Sequence, residues 1–206
     1  MKKIRYYSQH TLETCGISCA LMALDYFKID FPTVAKEMSM YRKYKAEAEP
    51  GTLCSAIAYE LSRHNLSVSL VHSGEELIEN HEGYYPEHIH RALLDEYTRY
   101  IERADGKIDV RLNARIDCDA LRDELAQDRL VILQCLVEGN ADGLHDHVLH
   151  GVLLYDYEDG LFRVCDPIPS VGRHALTEAQ LEQAMQTPVG RVYISVGKKA
   201  PAPRPQ

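Results

Sequence analysis

The 206-residue chain reads as an α+β fold, an N-terminal helical half packed against a C-terminal antiparallel sheet. Three observations predict it. Apolar residues recur with helical period early, at Ile17, Cys19, Ala20, Leu21, Leu24 and Phe27, and again at Leu53, Ile57 and Leu61. Apolar runs of strand length crowd the last third, at 129–138, 147–167 and 190–196. Those runs follow one another instead of alternating with helices, which favours hairpin pairing over a parallel sheet.

Each element has its own signal. Residues 15–28 form the first helix, with Thr14 in N-cap position. A short second helix covers 33–39. Pro50-Gly51 punctuates, and a third helix runs over 52–64. "LSVSLV" (66–71) alternates like a strand. Residues 73–117 are charged, tyrosine-rich and weakly patterned, apart from a helix at 86–104 with Ile89, Leu93, Tyr97 and Tyr100 on one stripe. Asp117 caps a helix at 118–127. "RLVILQCLVE" (129–138) is apolar throughout, as in the centre of a sheet. A polar loop follows at 139–146. Then come two strands about a turn near Glu158-Asp159-Gly160, a helix at 177–186 opened by Thr177 and Glu178, and a last strand at 190–196. Residues 1–197 are read as one domain, with 73–117 an inserted or variable segment and the Pro-rich 198–206 a disordered tail.

Composition narrows the function. Hydrophobic residues make up 45% and charged residues 26%, ordinary for a globular protein with a full core. The net charge of −8 and the lack of a basic stripe argue against a nucleic-acid partner or an anionic membrane surface. No apolar run reaches membrane-spanning length and no signal peptide is read, so the cytoplasm is the expected setting. Six cysteines are scattered without a Cys-x-x-Cys pair, which argues for free thiols over disulfides or a zinc ribbon. Cys19, Cys54 and Cys135 read as small core residues.

Cys15 is different. It opens the first strong helix, where free N–H groups and the macrodipole favour a thiolate. Gly16 permits close backbone approach, and Gln9 is a neutral donor of the kind that lines an oxyanion hole. Taken alone, Cys15 is equally a buried core cysteine. The choice needs a base. Three histidines, His145, His147 and His150, suggest zinc, but along a strand residues three apart point to opposite faces. No metal and no other cofactor is therefore expected. His150 and Asp166 lie on the two arms of the expected hairpin. A turn centred on Glu158 makes them direct cross-strand neighbours, with Asp166 fixing the imidazole. That pairing needs a wide loop at 156–160, because a tight Asp159-Gly160 turn offsets the pair by about three residues.

These residues resemble a known family. "QHTLETCGISCALMALDYF" (9–27) is similar to the N-terminal motif of the C39 peptidases, papain-like cysteine peptidases in which glutamine precedes the nucleophilic cysteine by this spacing. "HGVLLYDYEDGLFRVCDP" (150–167) is similar to the family's second motif. "GTLCSAIAYELSRHNLSVSL" (51–70) and "DALRDELAQDRLVILQ" (119–134) resemble the elements between. The resemblance covers about two thirds of the chain. It implies a papain-like fold, with Cys15 as nucleophile, His150 as general base and acid, Asp166 as orienting residue and Gln9 as oxyanion donor. A peptide or protein substrate follows from it. Thr14 stands where transporter-linked members have aspartate, Gly151 where an aromatic is usual, and Asp156 where a glycine is usual. A free-standing thiol peptidase is the leading reading. An acyl or γ-glutamyl transferase using the same site, and a non-catalytic peptide-binding module, remain open alternatives.

Overall fold

The computed structural model describes residues 2–80, 83–138 and 147–199; the loop at 139–146 and the tail from 200 lie outside them. Among the described residues, six helices and seven strands form three layers. The helices are α1 (Cys15–Tyr26), α2 (Val34–Tyr44), α3 (Cys54–Ser62), α4 (Glu87–Arg103), α5 (Cys118–Ala126) and α6 (Glu178–Ala184). The strands are β1 (Leu66–His72), β2 (Ile108–Arg111), β3 (Leu130–Glu138), β4 (His147–Glu158), β5 (Leu161–Asp166), β6 (Gly172–Thr177) and β7 (Val192–Lys198). They make one sheet in the order β2-β1-β7-β3-β4-β5-β6. Every pairing is antiparallel except β1 with β2.

The sheet is covered on both faces. Ala20, Met22 and Leu24 of α1, Ile57 and Leu61 of α3, and Leu93 of α4 pack against Leu70, Ile132, Leu153 and Ile194. On the other face Leu121 and Leu125 of α5, with Leu181 of α6, pack against Val131, Leu133, Val164 and Tyr193. Strand β3 lies fourth of seven, so residues on both of its faces are buried, which explains its nearly continuous apolar run, broken by the half-buried Gln134. Ten consecutive residues of α1, Gly16 to Asp25, are buried. A helix enclosed on all sides is a rigid mount for whatever stands at its first turn. Among the described residues, no helix is long and apolar enough to cross a membrane.

Three details depart from the expectations. The strand β2, four residues long and mostly polar, is an edge strand without an apolar run. Strand β6 is likewise an edge strand of half-buried residues. Helix α2 runs on to Tyr44, past the expected 39, and its buried positions, Glu37 and Tyr44, form no apolar stripe that would mark that length in the sequence. The segment 73–117 is built into the domain: it supplies α4, packed against α3, and β2, paired with β1.

The β4–β5 turn corrects the expected register. It is tight, with Asp159 and Gly160 both at positive φ (53° and 77°), as an Asp-Gly two-residue hairpin requires. Glu158 pairs with Leu161 and Tyr157 with Phe162. That register, carried onward unbroken, puts Asp166 opposite residue 153 and on the face away from His150. A β-bulge intervenes between Leu154 and Asp156, with Tyr155 the extra residue. Beyond it Leu154 pairs with Val164 and Leu153 with Cys165. Asp166 then falls opposite Val152, two residues from His150 and on the same face. The two are diagonal neighbours, not direct ones, within reach of a long side chain.

Candidate active site

His150 Nε2 donates to Asp166 Oδ1 at 2.9 Å, and both residues are buried, each about 5% exposed. The Ile168 backbone N–H donates to the same oxygen at 2.8 Å, so the carboxylate is fixed from two sides. With Nε2 committed, Nδ1 is the nitrogen left for Cys15, whose side chain meets that of His150. The strand β4 brings His150 there, the end of β5 brings Asp166, and the first residue of α1 is Cys15 itself.

Close backbone packing places the thiol. A Cβ on Gly151 would stand 3.2 Å from Gly16 Cα, and a Cβ on Gly16 would stand 2.4 Å from Ile57 Cδ1. Glycine at 151 lets β4 seat against the first turn of α1, which accounts for Gly151 following His150, and glycine at 16 leaves room for Ile57 of α3. Past the last β4–β5 pair, the Gly151 N–H donates to Cys15 Sγ at 3.3 Å.

These contacts set the ionisation of the pair. Burial pushes the Cys15 thiol up, but His150 and the N–H groups of Gly151 and Gly16 outweigh it and bring it below its ordinary 9.0. Burial acts to lower His150, yet Asp166 and Cys15 raise it to about 9. The other five thiols go the opposite way. Burial pushes up Cys19, Cys135 and Cys165, and takes Cys54 and Cys118 to about 12. All six cysteines are free.

Thr14 occupies the N-cap position of α1 but does not cap it. Its hydroxyl instead donates to Glu37 Oε1 at 2.5 Å. The first amides of α1 are thus left for an anion. Glu37 is fully buried on α2 and also accepts from the Tyr7 hydroxyl (2.6 Å), the His10 N–H (2.8 Å) and His10 Nδ1 (2.7 Å). One carboxylate therefore ties down the loop that runs from Gln9 to Cys15. Sequence inspection misses it, because a glutamate on a polar helix looks like solvated surface. Burial raises its pKa, but the donors from Thr14, Tyr7 and His10 lower it more, so it stays below 4.5. Its contribution to stability is present above 4.5 and is lost as pH falls through the depressed folded value. Glu37→Gln should cost about 2–3 kcal/mol in urea unfolding at pH 7, and this deficit should shrink as the pH is lowered.

Gln9 is buried, and its backbone N–H donates to Pro167 O at 2.8 Å, beside Asp166. Its Nε2 donates to Thr11 O at 3.0 Å and, more weakly, to Leu12 O at 3.4 Å. Cys15 and His150 line a cavity of about 520 Å³, and Gln9 and Asp166 are not part of its lining. Of the histidine cluster, His145 lies outside the described residues, as does the His147 side chain. Among the described residues, no group of three or more His, Cys, Asp or Glu side chains is placed to hold a metal ion.

Comparison of the whole structure decides the fold. The peptidase domain of Streptococcus ComA, a bi-functional ABC transporter involved in quorum sensing, superposes with a TM-score of 0.52 at 10% identity, over 96% of this chain and 100% of that one. The fold is that of a C39 peptidase domain. A putative C39-like peptidase from Bacillus anthracis aligns over 98% of both chains at 12% identity, with a TM-score of 0.49. A double-glycine-motif protease of an AMS/PCAT transporter, solved with its leader peptide, also scores 0.49 at 12% identity, over 96% of this chain and 94% of that one. No family model and no curated protein matches the sequence. The likeness is one of fold, at 10–12% sequence identity.

Proposed function

We propose that the chain is a cysteine peptidase in which Cys15 attacks the scissile carbonyl of a peptide or protein. One observation carries this reading above the rest. Of six thiols, five are held up by burial and one, at the first turn of α1 and facing an imidazole bonded to a carboxylate, is brought down. A core cysteine has no use for that arrangement.

The residues then take roles in sequence. The resting pair is Cys15 thiolate and His150 imidazolium, held in orientation by Asp166. As the thiolate adds to the carbonyl carbon, the oxygen gains charge and accepts from the uncapped N–H of Cys15. The second donor is Gln9 Nε2, whose longer bond to Leu12 O is the one readily exchanged for the oxyanion. His150 gives its proton to the leaving amine as the C–N bond breaks. Water, deprotonated by His150, then splits the thioester and restores the pair.

The test is alkylation of the wild-type protein by iodoacetamide from pH 4 to 9, followed thiol by thiol by peptide mass. Cys15 should react fast from below pH 7 with no rise through pH 8–9. Cys54, held up to about 12 and sharing the same cavity, serves as an internal reference and should stay slow. A Cys15 rate that climbs toward pH 9 like a free thiol would favour the peptide-binding module.

A further inference from the structure

We propose that the cavity beside Cys15 is the specificity pocket of this site, shaped for two bulky apolar side chains on the acyl side of the scissile bond. The inference rests on the peptidase reading and adds its substrate class.

Two features point to it. The first is size: an apolar cavity of roughly 150 Å³ already takes a benzene, so about 520 Å³ has room for two large side chains. The second is the chemistry of the wall, which includes Cys54, Ile57, Ile78, Tyr85, Ile89 and Tyr97. Several of its polar groups are spent on one another. The Cys54 thiol donates to Gln134 Oε1 at 3.4 Å and pairs with the Tyr97 hydroxyl, and Tyr85 pairs with Glu49. A polar side chain entering would lose its water and find few partners, whereas an apolar one gains by leaving water.

Direction follows from the proton. His150 must hand its proton to the leaving amine, so the leaving group stands on the imidazole side. The lining supplied by α3, α4 and the stretch preceding α4 is then the place for the acyl part of the substrate.

Peptidyl chloromethyl ketones test this without a known substrate. They present residues on the acyl side, and the Cys15 thiolate displaces chloride to form a C–S bond. The rates to compare are those of acetyl-Phe-Phe, acetyl-Gly-Gly and decanoyl chloromethyl ketones, with iodoacetamide measured alongside. The Phe-Phe reagent should label Cys15 at least about 10²-fold faster than Gly-Gly. In Ile89→Trp, which narrows the pocket, that ratio should fall tenfold or more; a ratio within one protein cancels any general loss. Fast iodoacetamide labelling with equal ketone rates overturns the pocket alone. A decanoyl reagent faster than Phe-Phe overturns the peptide assignment in favour of a fatty acyl group. Slow iodoacetamide labelling overturns the peptidase reading, and this inference with it.

Discussion

Cys15→Ala should reduce turnover of a peptide substrate by at least about 10⁴-fold while the protein stays folded. The thiol lines a cavity, so its removal opens no void in packed core. It gives up its contact with His150 and the 3.3 Å bond from Gly151 N–H, both of which cavity water can replace. Thermal unfolding should therefore shift by no more than about 1 kcal/mol. A spectroscopic consequence separates this variant from simple damage. His150 is held up to about 9 by Asp166 and by the Cys15 thiolate. Without the thiolate, its titration midpoint, followed by NMR, should move down while Asp166 keeps it bonded. Residual turnover within tenfold of wild type would mean that another group is the nucleophile.

His150→Gln should cost nearly as much in turnover, again about 10⁴-fold, for a different reason. The amide can still donate to Asp166, so the buried carboxylate keeps a partner, but it cannot accept or return a proton. The thiol loses its largest support against burial. Alkylation of Cys15 at pH 6 should fall by about 10² or more and should then climb with pH up to and beyond 9. In wild type the same rate should change less with pH, because the thiol is held below its ordinary value. The turnover profile of wild type should also fall as pH rises through about 9, where the imidazolium is lost. Unchanged alkylation at pH 6 in the variant would show that the first turn of α1 and the Gly151 N–H activate the thiol alone.

Much of this was legible in the sequence because its signals are local. The helical period after Cys15, the apolar run of β3 and the caps Asp117 and Thr177 each depend on a few neighbouring residues. The motifs around Cys15 and His150 pointed to the C39 fold that the superposition shows. What stayed hidden depends on distant partners. Thr14 has the right identity and position for a cap, yet its hydroxyl is drawn to a glutamate 23 residues away. Nothing near Glu37 in the chain marks it as buried. The strands β2 and β6 exist because β1 and β5 offer them an edge, not because they bury a face of their own. The hairpin was misjudged in a revealing way: arithmetic on a turn assumes an unbroken ladder, and the bulge at Tyr155 breaks it.

That bulge makes the hairpin a counting device. Along a strand, facing alternates with every residue, so parity decides whether two groups can ever meet. The tight turn alone leaves the imidazole and the carboxylate out of phase, and one supernumerary residue brings them back into phase. Loss of that residue, or gain of another between 150 and 166, would leave the strands paired and the core largely filled, yet send the two halves of the ion relay to opposite sides of the sheet. Pairs of insertions are neutral to this count where single ones are not. Length variation among descendants of this chain should therefore fall in steps of two within the hairpin, and freely only outside it.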